Sequence, residues 1–260
     1  MNYLRDVQYR DGTNVRARID LHERFSVNPQ GWPRWLFEQL AIAPNSRVLE
    51  LGCGPAMLWA KNRDRIDPTW QLIMSDFSPG MVEAAQRAVA DTGGQYGFAC
   101  VDAQAIPYDD ASFDFVIANH MLYHVPDRDR ALGEIRRVLR PGGTLYAATN
   151  GHAHLRELDE LAAGVGCDHE MILSAVKFGL ETGAAQLQRF FTYVQVSRYE
   201  DALVVTEPEP LMVYIASMST AASFDDATLA TLRAQIESVI ATEGAFRITK
   251  DAGLLTAHRA

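Results

Sequence analysis

An acidic residue and two glycines stand together at the end of a short apolar run, in residues 48–55 (VLELGCGP). Residues 47–51 are too short and too apolar for a surface helix, so they predict a buried parallel strand. Gly52 and Gly54 allow the backbone to approach a ligand that a Cβ atom would hold away. The turn after this strand therefore predicts a cofactor site. Because the carboxylate of Glu50 would repel a pyrophosphate and attract a cation, it favours a positively charged cofactor.

A dinucleotide is the alternative ligand for such a turn. The dinucleotide fingerprint asks for a third glycine at the sixth position from Gly52 and an acidic residue about 20 positions later. Met57 stands where that glycine is expected, whereas Asp76 follows Gly54 by 22 positions. The missing glycine weakens the prediction of an NAD(P)-dependent oxidoreductase and does not exclude it.

Polar residues also follow the later apolar runs. Asp76 ends the second run and can bind two vicinal ribose hydroxyls. Ser78 is predicted to cap the following helix, with Pro79 as its first residue. Asp102 ends the third run and offers a carboxylate to an exocyclic amine, and Asn119 ends the fourth. The carboxyl ends of four predicted strands thus carry groups that fit a nucleoside-like ligand.

Taken together and in order, these motifs resemble the class I S-adenosylmethionine-dependent methyltransferases over roughly residues 44–150. The resemblance rests on the segments E-x-G-x-G from Glu50, D-x-S-P-x-M from Asp76 to Met81, Asp102-Ala103, FDFV from Phe113, and RPGG from Arg140. It implies S-adenosyl-L-methionine as the cofactor and a methyl transfer as the reaction. The implied cofactor-binding residues are Glu50, Gly52, Cys53, Gly54, Asp76, Phe77, Met81, Asp102, Ala103 and Asn119.

The resemblance also implies what each part of the cofactor meets. The backbone from Gly52 to Gly54 would contact the methionine moiety, and Asp76 would bind the ribose hydroxyls. Asp102 and Ala103 would contact the adenine, with Phe77 against its face, and the backbone near Asn119 would face the amino group.

Composition predicts a soluble, cytoplasmic enzyme with a small-molecule acceptor. The 260 residues carry a net charge of −9 without a basic face, which argues against a nucleic-acid partner. No stretch approaches the ~18 apolar residues of a membrane span, and residues 1–20 have no apolar core typical of a targeting peptide. The three cysteines have no metal-ligand spacing, so we expect no metal and a reducing compartment. The sequence does not decide between a monomer and a homodimer.

The order of predicted elements indicates an α/β fold with a Rossmann-like, doubly wound sheet, mostly parallel with an antiparallel C-terminal edge strand. Residues 1–43 are predicted as an N-terminal helical cap and 44–150 as the cofactor-binding core. Residues 151–210 are predicted as a helical substrate-binding insertion that forms a lid, and 211–260 as a helix and strands that complete the core. Within the last range, residues 246–249 and 254–257 are predicted to form a hairpin around residues 250–253.

Methyl transfer from a sulfonium needs a nucleophile held in line with the carbon–sulfur bond, and some acceptors also need a base. Histidine suits that role because its pKa lies near neutrality. His120 and His124 follow the fourth strand and are the candidate catalytic residues, while Tyr123 and His152 are candidate substrate contacts. His154 also follows the fifth strand.

The sequence thus predicts a methyltransferase that modifies an oxygen, nitrogen or carbon atom of a small molecule in specialised metabolism. Besides the oxidoreductase, a non-catalytic regulator that senses the cofactor stays an alternative.

Overall fold

One seven-stranded sheet organises the chain. A computed structural model describes residues 13–166, 177–218 and 224–260. The strands run in the spatial order β3-β2-β1-β4-β5-β7-β6, and their bounds are β1 Arg47–Leu51, β2 Gln71–Asp76, β3 Gln95–Cys100, β4 Phe113–Asn119, β5 Leu139–Asn150, β6 Thr192–Val205 and β7 Phe246–His258. Strands β1 to β5 pair in parallel, whereas β7 pairs antiparallel with both β5 and β6. The mixed, mostly parallel sheet with antiparallel C-terminal strands agrees with the predicted fold class.

Helices connect the strands and cover the sheet. Their bounds are α1 Thr13–Phe25, α2 Trp32–Gln39, α3 Met57–Ala60, α4 Pro79–Val89, α5 Arg128–Val138, α6 Arg156–Gly164, α7 Gly183–Leu187, α8 Pro208–Ala216 and α9 Asp226–Glu243, with a short 3-10 helix at Leu122–His124. In the described residues no helix is long and apolar enough to cross a membrane.

Local sequence explains where these elements begin. The Ser78 side chain accepts a hydrogen bond from the Met81 amide, and Pro79 opens α4, which confirms the predicted cap. The Leu49 side chain is fully buried at the centre of the sheet, as the apolar run of β1 predicts. Because β1, β2 and β4 are parallel neighbours, the residues after their last positions meet at one edge of the sheet.

The predicted C-terminal hairpin is wrong. Residues 246–258 form the single strand β7, whose register with β6 runs without a turn through the Lys250–Asp201 pair. The Lys250 side chain is buried and forms an ion pair with Asp201. A charged residue at this position therefore does not indicate an exposed loop. A Cβ atom at Gly253 would lie 2.4 Å from the Ser197 carbonyl oxygen, so this glycine permits close strand approach instead of a turn.

The C-terminal strand is also not the edge of the sheet, because β6 lies outside it. Strand β6 lies within the range 151–210 that is predicted as a helical insertion, so this range is helical before and after a long strand. Residues 167–176 of the predicted helical insertion lie outside the described residues. The N-terminal range contains α1 and α2, in line with the predicted helical segment.

Candidate functional site

The glycine turn after β1 has the backbone geometry that only glycine adopts easily. Gly52 has a φ of 68° and Gly54 a φ of 52°. A Cβ atom at Gly52 would lie 2.7 Å from Met121 Cβ, just beyond β4, whereas no atom within 4 Å would meet one at Gly54. Gly52 therefore lets β1 and the segment after β4 pack closely, and Gly54 borders open space that a ligand can use.

This difference gives a stability prediction. We expect Gly52→Ala to lower the free energy of unfolding by about 2–4 kcal/mol, since it combines a left-handed backbone with a steric clash. Gly54→Ala meets no neighbour and should cost only about 1 kcal/mol for its backbone conformation. Urea denaturation of both variants measures the difference, and equal losses would contradict this account of the turn.

Glu50 is a buried carboxylate beside this turn. It is 1% exposed, and its Oε2 atom accepts a hydrogen bond from Trp59 Nε1 at 2.6 Å. Burial raises the pKa of Glu50 to about 7, with the nearby Asp76 acting in the same direction and the Trp59 hydrogen bond against it. A buried carboxylate without a positive partner is costly, so this position suits a cationic ligand.

Asp76 joins the end of β2 to the glycine turn. Its Oδ2 atom accepts a hydrogen bond from the Gly54 amide at 3.0 Å, and its Oδ1 atom accepts one from the Ser78 amide at 2.8 Å. Burial raises the pKa of Asp76, against the lowering effect of these backbone hydrogen bonds. Each carboxylate oxygen keeps a further lone pair, so Asp76 can still accept hydrogen bonds from two hydroxyl groups.

The other predicted cofactor contacts lie around this edge with different exposure. Asp102 already accepts hydrogen bonds from the backbone and side-chain amides of Gln104. The Phe77 side chain is 40% exposed, so its ring is available to a flat ligand. Met81 is 1% exposed and offers almost no surface to a ligand. Cys53 and Ala103 are buried at 7% and 5% exposure, and burial raises the pKa of the Cys53 thiol.

Asn119 ends β4 at the same edge. Its Oδ1 atom is buried without a hydrogen-bond partner among the described residues. A buried acceptor in this state indicates a missing donor, such as the amino group of a ligand.

Comparison with known proteins shows which family the segment that forms this edge resembles. Residues 49–147 match the model of the methyltransferase domain. Over these residues the chain is similar to methyltransferase domains, which confirms the resemblance to the class I S-adenosylmethionine-dependent family. It is 32% identical over 116 residues to the ubiquinone/menaquinone biosynthesis C-methyltransferase UbiE of Teredinibacter turnerae, a match that covers 44% of this chain and 47% of that protein. The chain thus spans about half the length of the curated relatives that it matches.

Solved structures agree on the fold across more of the chain. A putative methyltransferase from Bacillus halodurans superposes with a TM-score of 0.61 at 15% identity, covering 87% of this chain and 98% of that one. Phosphoethanolamine N-methyltransferase 2 of Haemonchus contortus, in complex with S-adenosyl-L-methionine, gives a TM-score of 0.54 at 18% identity and covers 99% of this chain and 59% of that one. At these identities the likeness supports the fold alone.

Beyond β4 and β5 the fold brings three histidines together. We call His22, His120 and His154 the histidine cluster. The rings of His22 and His154 are stacked with centroids 6.5 Å apart, and His120 is close enough to lower the pKa of both. Burial is the main cause that lowers the pKa of His22 to about 3 and that of His120 to about 4, with the Lys250 ammonium next. The cluster is therefore neutral at pH 7.

The structure separates the histidines that the sequence could not distinguish. His120 has a φ of 53° at the end of β4 and belongs to the cluster. The His152 side chain is 48% exposed and lies 3.8 Å from a Glu181 carboxylate oxygen, so His154 takes the inward position instead. The Tyr123 ring contacts that of His124 at 4.5 Å and lies 6.4 Å from His120. Burial lowers the pKa of His124 to about 4 as well.

Sequence reasoning missed His22 and Lys250. His22 lies within an ordinary-looking helix, and no motif marks its side chain as facing β4. The ion pair between Lys250 and Asp201 depends on the pairing of β6 with β7, which is a tertiary contact. Only the inward pattern of α1, with Leu21 and Phe25 buried, could have suggested that His22 lies beside the core.

Proposed function

We propose that the chain is a methyltransferase that transfers the methyl group of S-adenosyl-L-methionine to an oxygen, nitrogen or carbon atom of a small molecule. The observation that carries the proposal is the meeting of Glu50, Gly54 and Asp76 at one edge of the sheet. The Gly54 amide and Asp76 are hydrogen-bonded, and burial keeps the Glu50 carboxyl poised to ionise beside a cation. When bound, the cofactor supplies an activated methyl group, and the chain has to position the acceptor and exclude water.

The roles that we propose for the remaining cofactor contacts follow the positions described above. Asp76 binds the ribose hydroxyls, and Phe77 lies along the adenine. Asp102 and Ala103 contact the adenine edge, which requires the Gln104 side chain to release Asp102. The Asn119 side chain and the backbone beside it face the amino group, which would satisfy the buried Oδ1 atom.

The relatives are named as C-methyltransferases of quinone biosynthesis, which makes carbon a specific candidate for the acceptor atom. The sequence match to them covers 44% of this chain, and the family model ends at residue 147. The histidine cluster draws on α1 and on the segment after β5, outside that range. The relatives therefore support the methyl donor more strongly than the acceptor, and a role in specialised metabolism in the cytoplasm stays a prediction.

Transfer of labelled methyl groups tests the proposal. The protein is incubated with methyl-labelled S-adenosyl-L-methionine and a panel of small phenols, amines, carboxylic acids and quinols, and the products are identified by mass spectrometry. We expect a methylated product from at least one class, together with S-adenosylhomocysteine. Donor binding with no transfer to any class would favour a non-catalytic regulator.

His120 gives a prediction for the chemical step. Asparagine tolerates the left-handed backbone of residue 120, so we expect His120→Asn to fold, to bind the donor normally and to lower kcat by about 100-fold. His258 is the matched control, because it hydrogen-bonds to Thr144, at the opposite end of the β4–β5 pairing from Asn119. Steady-state kinetics of His258→Asn should match the wild type, and an unchanged kcat in His120→Asn would remove His120 from catalysis.

A further inference from the structure

Aromatic rings surround the histidine cluster on the side of α2. The Trp32 ring lies 4.9 Å from His120 and 5.4 Å from Tyr199, with an interplanar angle of 81° to the latter. Trp35 packs against the same tyrosine at 5.2 Å. Four elements thus bring flat side chains together: α2, the end of β4, β6 and, through His22, α1. Rings in this arrangement suit a planar aromatic molecule.

Two ring nitrogens of this group are buried and have no hydrogen-bond partner among the described residues. They are Nδ1 of His22 and Nε1 of Trp32. Buried polar atoms are almost always hydrogen-bonded in folded proteins, and two exceptions in one cluster indicate partners that arrive with a ligand. The Trp32 nitrogen is only a donor, so that ligand must offer an acceptor atom.

His154 is oriented differently. Its Nδ1 atom accepts a hydrogen bond from the Asp251 amide at 3.2 Å. The neutral ring therefore carries its proton on Nε2, which is a donor. The cluster as a whole can therefore both donate a hydrogen bond to a ligand and accept one from it.

The charged side chains around the cluster indicate which charge a ligand can carry. Lys250 is paired with Asp201, and their side chains are 6% and 0% exposed. Arg18 donates to the Ser217 carbonyl oxygen at 3.0 Å. A carboxylate ligand would need an unpaired cation, and these two are engaged.

An ammonium ligand is disfavoured for the complementary reason. Asp201 is the acidic group among the charges that act on His22, and it already accepts hydrogen bonds from Ser26, the Asn28 amide and Lys250. The Lys250 ammonium would also repel a second cation. A neutral hydroxyl group avoids both difficulties, because it can donate to an imidazole and accept from an indole.

We propose that His22, His120, His154 and Trp32 form the acceptor site, and that the acceptor is a planar aromatic compound methylated on a hydroxyl oxygen. This inference rests on the proposed function. The oxygen–carbon bond forms as the carbon–sulfur bond breaks, and the electron pair of the latter stays on sulfur and neutralises the sulfonium. The hydroxyl proton passes to an imidazole of the cluster. A weakly basic imidazole suffices, because the oxygen becomes strongly acidic as it is methylated.

Three naphthalenes of one shape test the inference: 2-naphthol, 2-naphthylamine and 2-naphthoate. Equilibrium dialysis with the S-adenosylhomocysteine complex should show the tightest binding for 2-naphthol. Labelled S-adenosyl-L-methionine should then convert it to 2-methoxynaphthalene. Binding of the amine or the carboxylate as tightly as 2-naphthol, or no binding of 2-naphthol, would overturn the inference.

Trp32→Phe removes the unpartnered indole N–H and keeps an aromatic ring. We expect it to weaken 2-naphthol binding about fivefold, the loss of one neutral hydrogen bond, and to leave S-adenosylhomocysteine binding and the melting temperature unchanged. Trp70→Phe is the matched control, since Trp70 Nε1 donates to the Ala43 carbonyl oxygen at 3.0 Å. It should lower the melting temperature and leave 2-naphthol binding unchanged.

The experiments distinguish a failure of the proposed function from a failure of the acceptor site. If S-adenosylhomocysteine does not bind the wild-type protein, the proposed function falls and the acceptor site falls with it. If it binds and Trp32→Phe holds 2-naphthol as tightly as the wild type does, only the acceptor site is wrong.

Discussion

Glu50→Gln should weaken binding of S-adenosyl-L-methionine by about 10- to 150-fold and, at pH 8, make the free protein more stable. The first effect follows from the loss of a charged hydrogen-bond acceptor beside a cation, worth about 1.5–3 kcal/mol. The second follows because burial raises the pKa of Glu50 from 4.5 to about 7. The neutral glutamine can still accept the hydrogen bond that Trp59 now donates to the carboxylate.

The sign of the stability effect depends on pH. Because the folded-state pKa of Glu50 lies above the unfolded value, its contribution favours the folded state fully below about pH 4.5 and is lost as pH rises through about 7. The loss amounts to roughly 3 kcal/mol above pH 8. Because a glutamine side chain does not ionise, the Glu50→Gln variant does not lose this stability. Its free energy of unfolding should exceed that of the wild type at pH 8, and the difference should shrink toward pH 5.

Glu157→Gln is the matched control for this result. Glu157 accepts hydrogen bonds from the Thr249 amide and hydroxyl, and these outweigh the effect of its burial and lower its pKa. Its replacement should therefore destabilise the protein and leave donor affinity unchanged. Calorimetry and urea denaturation measure both quantities, and a Glu50→Gln variant that binds the donor like the wild type would show that this carboxylate does not face the cation.

Asp76→Ala should weaken donor binding by about 1.5–3 kcal/mol, roughly 10- to 150-fold, since the ribose hydroxyls lose a charged acceptor. The backbone contributes to the same loss, because the amides of Gly54 and Ser78 lose the carboxylate that holds the glycine turn against β2. Calorimetric titration with S-adenosyl-L-methionine measures the change directly.

Asp67→Ala separates the ribose contact from general damage. Asp67 also accepts two hydrogen bonds, from the amide and hydroxyl of Thr69, just ahead of β2. This variant should keep the donor affinity of the wild type. An Asp76→Ala variant with unchanged affinity would mean that Asp76 is not the ribose ligand.

The meeting of Glu50, Gly54 and Asp76 at one edge of the sheet could be predicted from sequence because its signals are local. Each strand there is a short apolar run, and a residue with a specific backbone or charge requirement follows it directly, as Gly52 and Asp76 do. Parallel pairing then places these residues together without further information. The capping of α4 by Ser78 was predictable for the same reason, since a cap depends on neighbouring residues only.

The C-terminal part and the acceptor side depend on pairings that a single sequence does not display. Residues 250–253 have turn-like composition, yet the strand continues through them because Asp201 neutralises Lys250 and Gly253 lets β6 approach. The histidine cluster likewise joins residues 132 positions apart in sequence, His22 and His154. No local pattern distinguishes His154 from the exposed His152, since the contacts of His154 with His22 and with the Asp251 amide are tertiary.

Titration of the wild-type protein with S-adenosyl-L-methionine, S-adenosylhomocysteine and NADH by isothermal calorimetry tests the central claim most directly. We expect one site per chain that binds the first two ligands with a Kd on the order of micromolar, near −8 kcal/mol, and no heat from NADH. Binding of NADH with no response to either S-adenosyl compound would contradict the assignment of the edge formed by Glu50, Gly54 and Asp76.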